Sequence, residues 1–493
     1  MDLTSLTLKQ TIEMLEKGET TSNELTRAYL DRIENIDPKI NAYLLVTKDL
    51  ALKQAEESDK RRKQGKTLSK LDGVPMALKD VFSTNGIKTT GASKILDDYI
   101  PPFNATVVDR LFGAGCVLLG KTNTDEFTMG SSTENSAYKT TKNPWDLTRV
   151  PGGSSGGSVA AVSADLCCFA LGTDTGGSIR QPSSFCSTVG LKVTYGLVSR
   201  YGVFSYASSF DTIGPITKSV EDSAIVLNYI AGVDKNDLTS IGENLPDYTK
   251  HIGSDLKGKK VGIPAEFYGE GLDDEVSKTL KNAKLKLKEL GAEIIDVKLP
   301  LTKHAIAVYY ILVKSEASSN LSRYDGIRFG LSQIKEQYTR NKSQTLDDVY
   351  IKSRSQGFGN EAKRSIMMGT YTLSSGYYDA YYKKASQVRS AIKQEYEDVF
   401  ESVDVLLAPV SPFPAFKIGE KLEDPLQMYL ADVNTVPINS AGVCAMSVPA
   451  GFSNSGLPIG AQIIGPKMGE GKVLEVASAL EKAMNIRNKP ELE

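Results

Sequence analysis

Ser154 and Ser178 stand 24 positions apart in two Gly/Ser-rich loops, Pro151-Gly152-Gly153-Ser154-Ser155-Gly156-Gly157-Ser158 and Thr173-Asp174-Thr175-Gly176-Gly177-Ser178. Hydroxyls in such loops point to acyl transfer, because glycines let a substrate carbonyl approach backbone N–H groups, as an oxyanion hole requires. A serine nucleophile also needs a base to take its proton. The chain holds only two histidines, His251 and His304, so a Ser–His relay would have to use one of them. Lysine is the other candidate. Lys79 ends the apolar run 74–78, just before Asp80. To accept a proton it must titrate well below its usual value of about 10.4, which desolvation at a strand end would achieve. Taken singly, each feature also has a plainer reading: a flexible turn, or a lysine snorkelling at a strand terminus.

The intervening segment supports the sharper reading. A small-residue helix over 159–166 and a strand over 167–171 lie between the two loops, so both loops fall at element ends, where open α/β sheets bind ligands. Short apolar strands at 74–78 and 116–119 alternate with helical segments, which is an α/β signature. The pattern returns with a strand at 260–263, a helix face at Val276, Leu280, Ala283, Leu287 and Leu290 closed by Gly291, and a strand at 293–297. At the N-terminus, Leu8, Ile12 and Leu15 mark a helix stopped by Gly18. Thr21 and Glu24 form a capping box for a second helix, which Asp37-Pro38 should end. Residues 53–70 read as a charged, solvated helix and loop. Residues 304–400 read as mainly helical and Tyr-rich, a strand follows at 405–408, and a last helix spans about 471–485. We read residues 1–493 as one large α/β domain, with an N-terminal helical part (1–70) and a helical insertion at about 300–400.

Composition removes several function classes. The chain has 493 residues, 40% hydrophobic and 24% charged, and 58 basic against 60 acidic side chains leave a net charge of −2. A free-standing nucleic-acid binder needs a basic surface, so any RNA would be held by another chain. No run reaches the roughly 18 apolar residues of a membrane span, and no targeting pattern opens the chain, so a cytoplasmic location and no membrane association are expected. Five cysteines without CxxC spacing read as reduced, packed thiols, and no metal site is expected.

The segments Leu71-Asp72-Gly73-Val74-Pro75-Met76-Ala77-Leu78-Lys79-Asp80, Gly120-Lys121-Thr122-Asn123 and Asn143-Pro144-Trp145-Asp146, together with the two loops, resemble the amidase-signature family across nearly the whole chain. The resemblance implies a large mixed central sheet covered by helices on both faces. It implies Ser178 as the acyl-forming nucleophile, Ser154 on a cis peptide as the bridge, and Lys79 as the ultimate base. Backbone N–H groups of Thr175, Gly176, Gly177 and Ser178 would form the oxyanion hole.

Two further stretches, Ser315-Glu316-Ala317-Ser318-Ser319-Asn320-Leu321-Ser322-Arg323-Tyr324-Asp325-Gly326 and Leu373-Ser374-Ser375-Gly376-Tyr377-Tyr378-Asp379-Ala380-Tyr381-Tyr382-Lys383-Lys384, are similar to one branch of that family. The branch consists of the glutamine-hydrolysing subunits of tRNA-dependent amidotransferases. It implies a heterotrimer with two further subunits, ammonia passed to a partner that holds Glu-tRNA(Gln), and no cofactor in this chain, with ATP and Mg²⁺ serving the whole complex. Glutamine needs an anion for its α-ammonium and a cation for its α-carboxylate. The resemblance puts the anion at Asp432 and a tyrosine at Tyr309. The branch's carboxylate-binding arginine ends a Lys-Arg-Arg run, but this chain reads Lys363-Arg364-Ser365, which assigns that position to Ser365. On a helix Arg364 points about 100° away and would not simply replace it. Val443-Cys444-Ala445-Met446 is a second departure, standing where the branch has a Pro-Gly turn near the substrate. A stand-alone amidase acting on other amides is the alternative.

Two literal motifs compete. Gly115-Cys116-Val117-Leu118-Leu119-Gly120-Lys121-Thr122 fits a P-loop string, but its four middle residues are apolar and read as a buried strand. Gly152-Gly153-Ser154-Ser155-Gly156 fits GxSxG, yet Thr148-Arg149-Val150-Pro151 before it is a poor strand for a nucleophile elbow.

Overall fold

The structure is a computed structural model describing residues 2–253, 255–333, 345–422 and 424–492. One 11-stranded sheet runs through it. Its strands in chain order are β1 (Tyr43–Val46), β2 (Pro75–Lys79), β3 (Val117–Thr122), β4 (Phe169–Asp174), β5 (Val189–Lys192), β6 (Thr212–Thr217), β7 (Lys260–Pro264), β8 (Glu293–Val297), β9 (Val405–Pro409), β10 (Cys444–Phe452) and β11 (Pro458–Gly465). The spatial order is β1-β3-β2-β4-β6-β5-β10-β11-β9-β7-β8. β3, β2 and β4 are parallel neighbours, and so are β9, β7 and β8. The middle, from β4 through β6, β5, β10 and β11 to β9, is antiparallel.

Strand periodicity sorts the core onto two faces. Along β9, Val405 and Leu407 join one hydrophobic cluster while Leu406 and Ala408 join the other, as the two-residue pleat requires. The first cluster takes in the helices Leu8–Lys17, Ser22–Ile40, Gly156–Ser163, Asp274–Glu289 and Glu470–Met484. The second is built on Ala305–Leu321, Asn360–Leu373 and Lys384–Val399. These last helices, with Leu346–Gly357, form the helical insertion; residues 334–344 of the expected span lie outside the described residues.

Local signals act as their chemistry predicts, with one correction. Gly18 caps Leu8–Lys17 in the left-handed conformation, and Thr21 with Glu24 closes a reciprocal capping box. Pro38, however, does not end the second helix, which continues to Ile40. Pro38 has a helical φ and in this last turn costs only the hydrogen bond its missing N–H would make, while the Asp37 carboxylate accepts from the N–H groups of Ala42 and Tyr43 just beyond the helix end. The P-loop string is β3, buried throughout, and Lys121 donates to Phe82 O and to the hydroxyls of Thr84 and Thr89 inside the core. Its lysine is a structural tie.

Candidate active site

Lys79 stands at the C-terminal end of β2, whose five residues are all buried. β4 is its parallel neighbour, with Leu78 opposite Leu171, so the end of β4 brings Thr173 level with the lysine. The Lys79 ammonium nitrogen lies 2.7 Å from Ser154 Oγ, 2.9 Å from Ser155 Oγ and 2.8 Å from Thr173 Oγ1. Three hydroxyls surround it, and among the described residues no carboxylate touches it. Burial lowers the Lys79 pKa to about 7, against the pull of the carboxylates of Asp125, Asp174 and Asp211. A lysine so placed is half neutral near physiological pH and can accept a proton.

Each loop is held rigidly. The Gly153–Ser154 peptide is cis. Gly153 sits where a Cβ would fall 2.3 Å from Asp125 Oδ2 and 2.6 Å from Ser132 N, so no larger residue fits. Asp125 is buried and pins this corner by accepting from Thr133 N and Asn135 N. The second loop turns around Asp174, which is fully buried and pairs with the equally buried Arg180 at 2.9 Å. Arg180 also reaches Gln462, Asn439 and the Thr435 carbonyl, and the pair holds the Asp174 carboxyl down at about 2 despite its burial. Ser155 N donates to Ser178 O at 3.1 Å, which couples the two loops directly.

The expected oxyanion set needs a correction at Gly177. Its N–H donates to Asp174 Oδ1 at 2.9 Å and is not available to a substrate. Among the described residues, no acceptor within the chain takes the N–H groups of Thr175, Gly176 or Ser178. Those three are free to receive an oxyanion.

Ser178 opens into a cleft also lined by Ser131, Tyr206, Tyr309, Tyr310, Lys314, Glu361, Arg364, Tyr429 and Asp432. Asp432 is buried, and one of its oxygens accepts from Ser131 Oγ while Oδ1 has no partner. Burial pushes its carboxyl up to about 8, with the nearby Asp174 and Asp125 charges adding to the rise. A cation entering the cleft would satisfy that orphaned oxygen and bring the acid back to its charged form. Lys314 and Arg364 supply positive charge on the same wall, both paired with Glu361. Tyr309 packs edge-on against Phe210 and Tyr310 and closes the cleft beside Gly176.

Ser365 is not on this wall. It is fully buried, and its Oγ accepts from Lys314 Nζ at 2.8 Å, behind the lining residues. Arg364, expected to point away, does line the cleft, because its long side chain folds back one turn to Glu361. Val443-Cys444-Ala445-Met446 forms no turn at the substrate: Cys444 begins β10, and Gly442 closes the preceding helix in the left-handed conformation. Neither histidine lines the cleft, and His304 is exposed at a helix start.

Comparison with known proteins agrees with this geometry. The family model for amidases matches residues 24–474. The chain belongs to the amidase family. It is 54% identical over 491 residues to the A subunit of the glutamyl-tRNA(Gln) amidotransferase of Thermoanaerobacter pseudethanolicus, an alignment that covers 100% of this chain and 99% of the relative. The crystal structure of the corresponding A subunit from Thermotoga maritima, also a glutamyl-tRNA(Gln) amidotransferase, superposes with a TM-score of 0.82 at 41% identity, covering 100% of this chain and 99% of that one. The peptide amidase of Stenotrophomonas maltophilia superposes with a TM-score of 0.80 at 28% identity, over 99% of both chains.

Within this amidase, the groups missed by sequence reasoning fall into two kinds. Ser155 and Thr173 belong to the two loops already singled out, and their hydroxyls were a usable signal for what surrounds Lys79. Lys314 gave a fainter one: it is the only basic residue in the helix Ala305–Leu321, following an apolar first half. Asp125 and Ser131 carried none, since nothing local distinguishes an acid or a serine that reaches the site through the fold.

Proposed function

We propose that this amidase hydrolyses glutamine to glutamate and ammonia as the ammonia-producing subunit of a tRNA-dependent amidotransferase that converts Glu-tRNA(Gln) to Gln-tRNA(Gln). The buried, hydroxyl-bound amine of Lys79 carries the amide-hydrolysis half of this reading. The full-length likeness to amidotransferase A subunits supports glutamine as the substrate.

Neutral Lys79 takes the Ser154 proton while Ser154 takes that of Ser178. Ser178 Oγ then attacks the side-chain carboxamide carbon, and the negative charge on the carbonyl oxygen is received by the N–H groups of Thr175, Gly176 and Ser178. Collapse breaks the C–N bond, the relayed proton returns through Ser154 to the nitrogen, and ammonia departs. A glutamyl ester remains on Ser178. Water adds to the same carbon with its proton drawn along the same relay, and glutamate leaves as Ser178 is reprotonated. Asp432 receives the substrate α-ammonium throughout. Ammonia then passes to a partner subunit that binds the tRNA, with a third subunit completing a heterotrimer in the cytoplasm. ATP and Mg²⁺ act in that partner, not in this chain.

The test is ammonia release from L-glutamine and from neutral primary amides, with the chain alone and with its co-purifying subunits. Glutamine preference that disappears in Ser178→Ala is the expected result. Turnover of neutral amides with indifference to glutamine would make this a stand-alone amidase, and unimpaired turnover in Ser178→Ala would remove the nucleophile.

A further inference from the structure

The substrate wall of this site holds a cation in an unexpected place. Helices Ala305–Leu321 and Asn360–Leu373 press together closely: a Cβ at Gly369 would fall 2.0 Å from the Lys314 carbonyl oxygen, so only glycine permits this approach. Glu361, Ser365 and Gly369 recur every four residues, which puts all three on the helix face turned to Lys314. The Lys314 ammonium lies 2.7 Å from Glu361 Oε1 and 2.8 Å from Ser365 Oγ, and the rings of Tyr206, Tyr310 and Tyr429 surround it with centroids 5.6–5.8 Å away. Lys314 also lines the cleft that holds Ser178 and Asp432.

We propose that Lys314 is the specificity-determining cation of this site, binding the substrate α-carboxylate from helix Ala305–Leu321 in place of the arginine expected at position 365. The inference rests on glutamine, or another amide bearing a carboxylate, being the substrate. Three observations carry it. An ammonium has three N–H donors, and Glu361 and Ser365 occupy two, leaving one for a ligand. Lys314 and Arg364 against the single carboxylate of Glu361 leave one positive charge in surplus, which an incoming carboxylate neutralises. The Lys314 side chain is 2% exposed whereas that of Arg364 is 43% exposed, so the lysine acts from the less screened position. Its lone remaining donor gives a single charge-assisted hydrogen bond and not the two-point grip of a guanidinium.

The geometry also fixes what Ser365→Arg does. With Lys314 in place, that substitution sets a guanidinium against a buried ammonium now 2.8 Å from Ser365 Oγ. It therefore weakens the site unless Lys314 is removed at the same time.

The experiment compares kcat/KM for L-glutamine with that for butyramide, which lacks the carboxylate. It uses the full chain as isolated from its host, with whatever subunits accompany it, in the wild type, Lys314→Ala, Ser365→Arg and the double variant. Loss of one charge-assisted hydrogen bond lowers the glutamine-to-butyramide ratio about tenfold or more in Lys314→Ala. Ser365→Arg alone also lowers it, and the double variant, with the cation moved to the facing helix, recovers most of the preference. A Lys314→Ala ratio equal to that of the wild type, or a double variant no better than Lys314→Ala, overturns the inference while leaving glutamine hydrolysis standing. Wild-type protein that releases no ammonia from glutamine overturns both. Because the readout is a ratio on one preparation, partial misfolding of a variant cancels from it.

Discussion

In the proposed mechanism the proton acceptor is a lysine, and its burial sets where activity appears on the pH scale. The Lys79 pKa is lowered to about 7, chiefly by desolvation. With that value, about half the free enzyme carries a neutral amine at pH 7, about a tenth at pH 6 and about a hundredth at pH 5. Only the neutral form can take the relayed serine proton, so kcat/KM should fall about tenfold per pH unit below 7 and level off above 8. Butyramide is the substrate of choice, because it does not engage Asp432 and so isolates the lysine. Asp211 provides a directed perturbation: its buried carboxylate raises the Lys79 pKa, so Asp211→Asn should move the acid limb to lower pH. The same titration enters stability with a fixed sign. Unfolded lysine holds its proton up to about 10.4 and folded Lys79 only to about 7, so the unfolded state binds more protons between those values and stability rises with pH there. Relative to Lys79→Met, the wild type should gain about 1.4 kcal/mol of unfolding free energy per pH unit between 7 and 10, a gain that is gone once the pH has fallen to 7 and does not change below it. Initial rates from pH 5 to 9 and urea unfolding of both proteins read the two effects. Flat activity from pH 5.5 to 8.5 would refute lysine as the base, and an acid limb centred above 9 would refute the lowering of its pKa by burial.

Three further outcomes follow from groups around Lys79. Asp432→Asn should raise KM for glutamine at least tenfold, as the α-ammonium loses its charged partner; an unchanged KM in steady-state assays would place the ammonium elsewhere. Because Asp432 titrates near 8 in the empty site, kcat/KM for glutamine should show its acid limb at higher pH than kcat/KM for butyramide, and coincident limbs would deny Asp432 that role. Arg180→Met should destabilise the fold by about 3–5 kcal/mol, since it strands the buried Asp174 carboxylate. Wild-type stability of that variant in urea would mean the second loop does not depend on the pair.

The legible part of this molecule was the part whose sequence signals are local. Continuous apolar runs with a polar terminus gave β2, β3 and β4 to within a few residues, because strands buried on both faces need nothing else. The antiparallel middle is not legible in the sequence. β6 reads Thr-Ile-Gly-Pro-Ile-Thr and β11 begins at Pro458, and glycine and proline ordinarily signal turns. In β6 the sheet requires that glycine, since a Cβ at Gly214 would fall 1.9 Å from Leu191 O on the neighbouring strand. The sequence singles out Lys79, Ser154 and Ser178 because chemistry constrains their residue types; the structure sets Lys79 against Ser154, and the next residue, Ser155, donates its N–H to Ser178 O on the adjoining loop. The sequence misplaces the substrate wall at Ser365 for a tertiary reason. Which side chain fills a given space between two packed helices depends on both helices, and no spacing within one of them reveals it.

That division has a physical origin. The proposed proton relay is built from strand ends and loops in the sheet interior, where Ser154, Ser155 and Thr173 are all buried and each hydrogen-bonds to the buried Lys79. A change at any one of them leaves a buried polar group unpaired, and a lysine that must stay neutral half the time tolerates no new carboxylate beside it. The substrate wall instead comes from side chains reaching out of helices Ala305–Leu321 and Asn360–Leu373, which pack on the sheet but are not part of it. A positive charge can move there from one helix to the other, as Lys314 facing Ser365 indicates, without displacing an atom of the relay. Substrate preference can therefore drift in this architecture while the chemistry stays fixed. The glutamine-to-butyramide ratio and the acid limb of butyramide hydrolysis should respond to separate sets of substitutions: Lys314→Ala should shift the first and leave the midpoint of the second where Lys79 puts it.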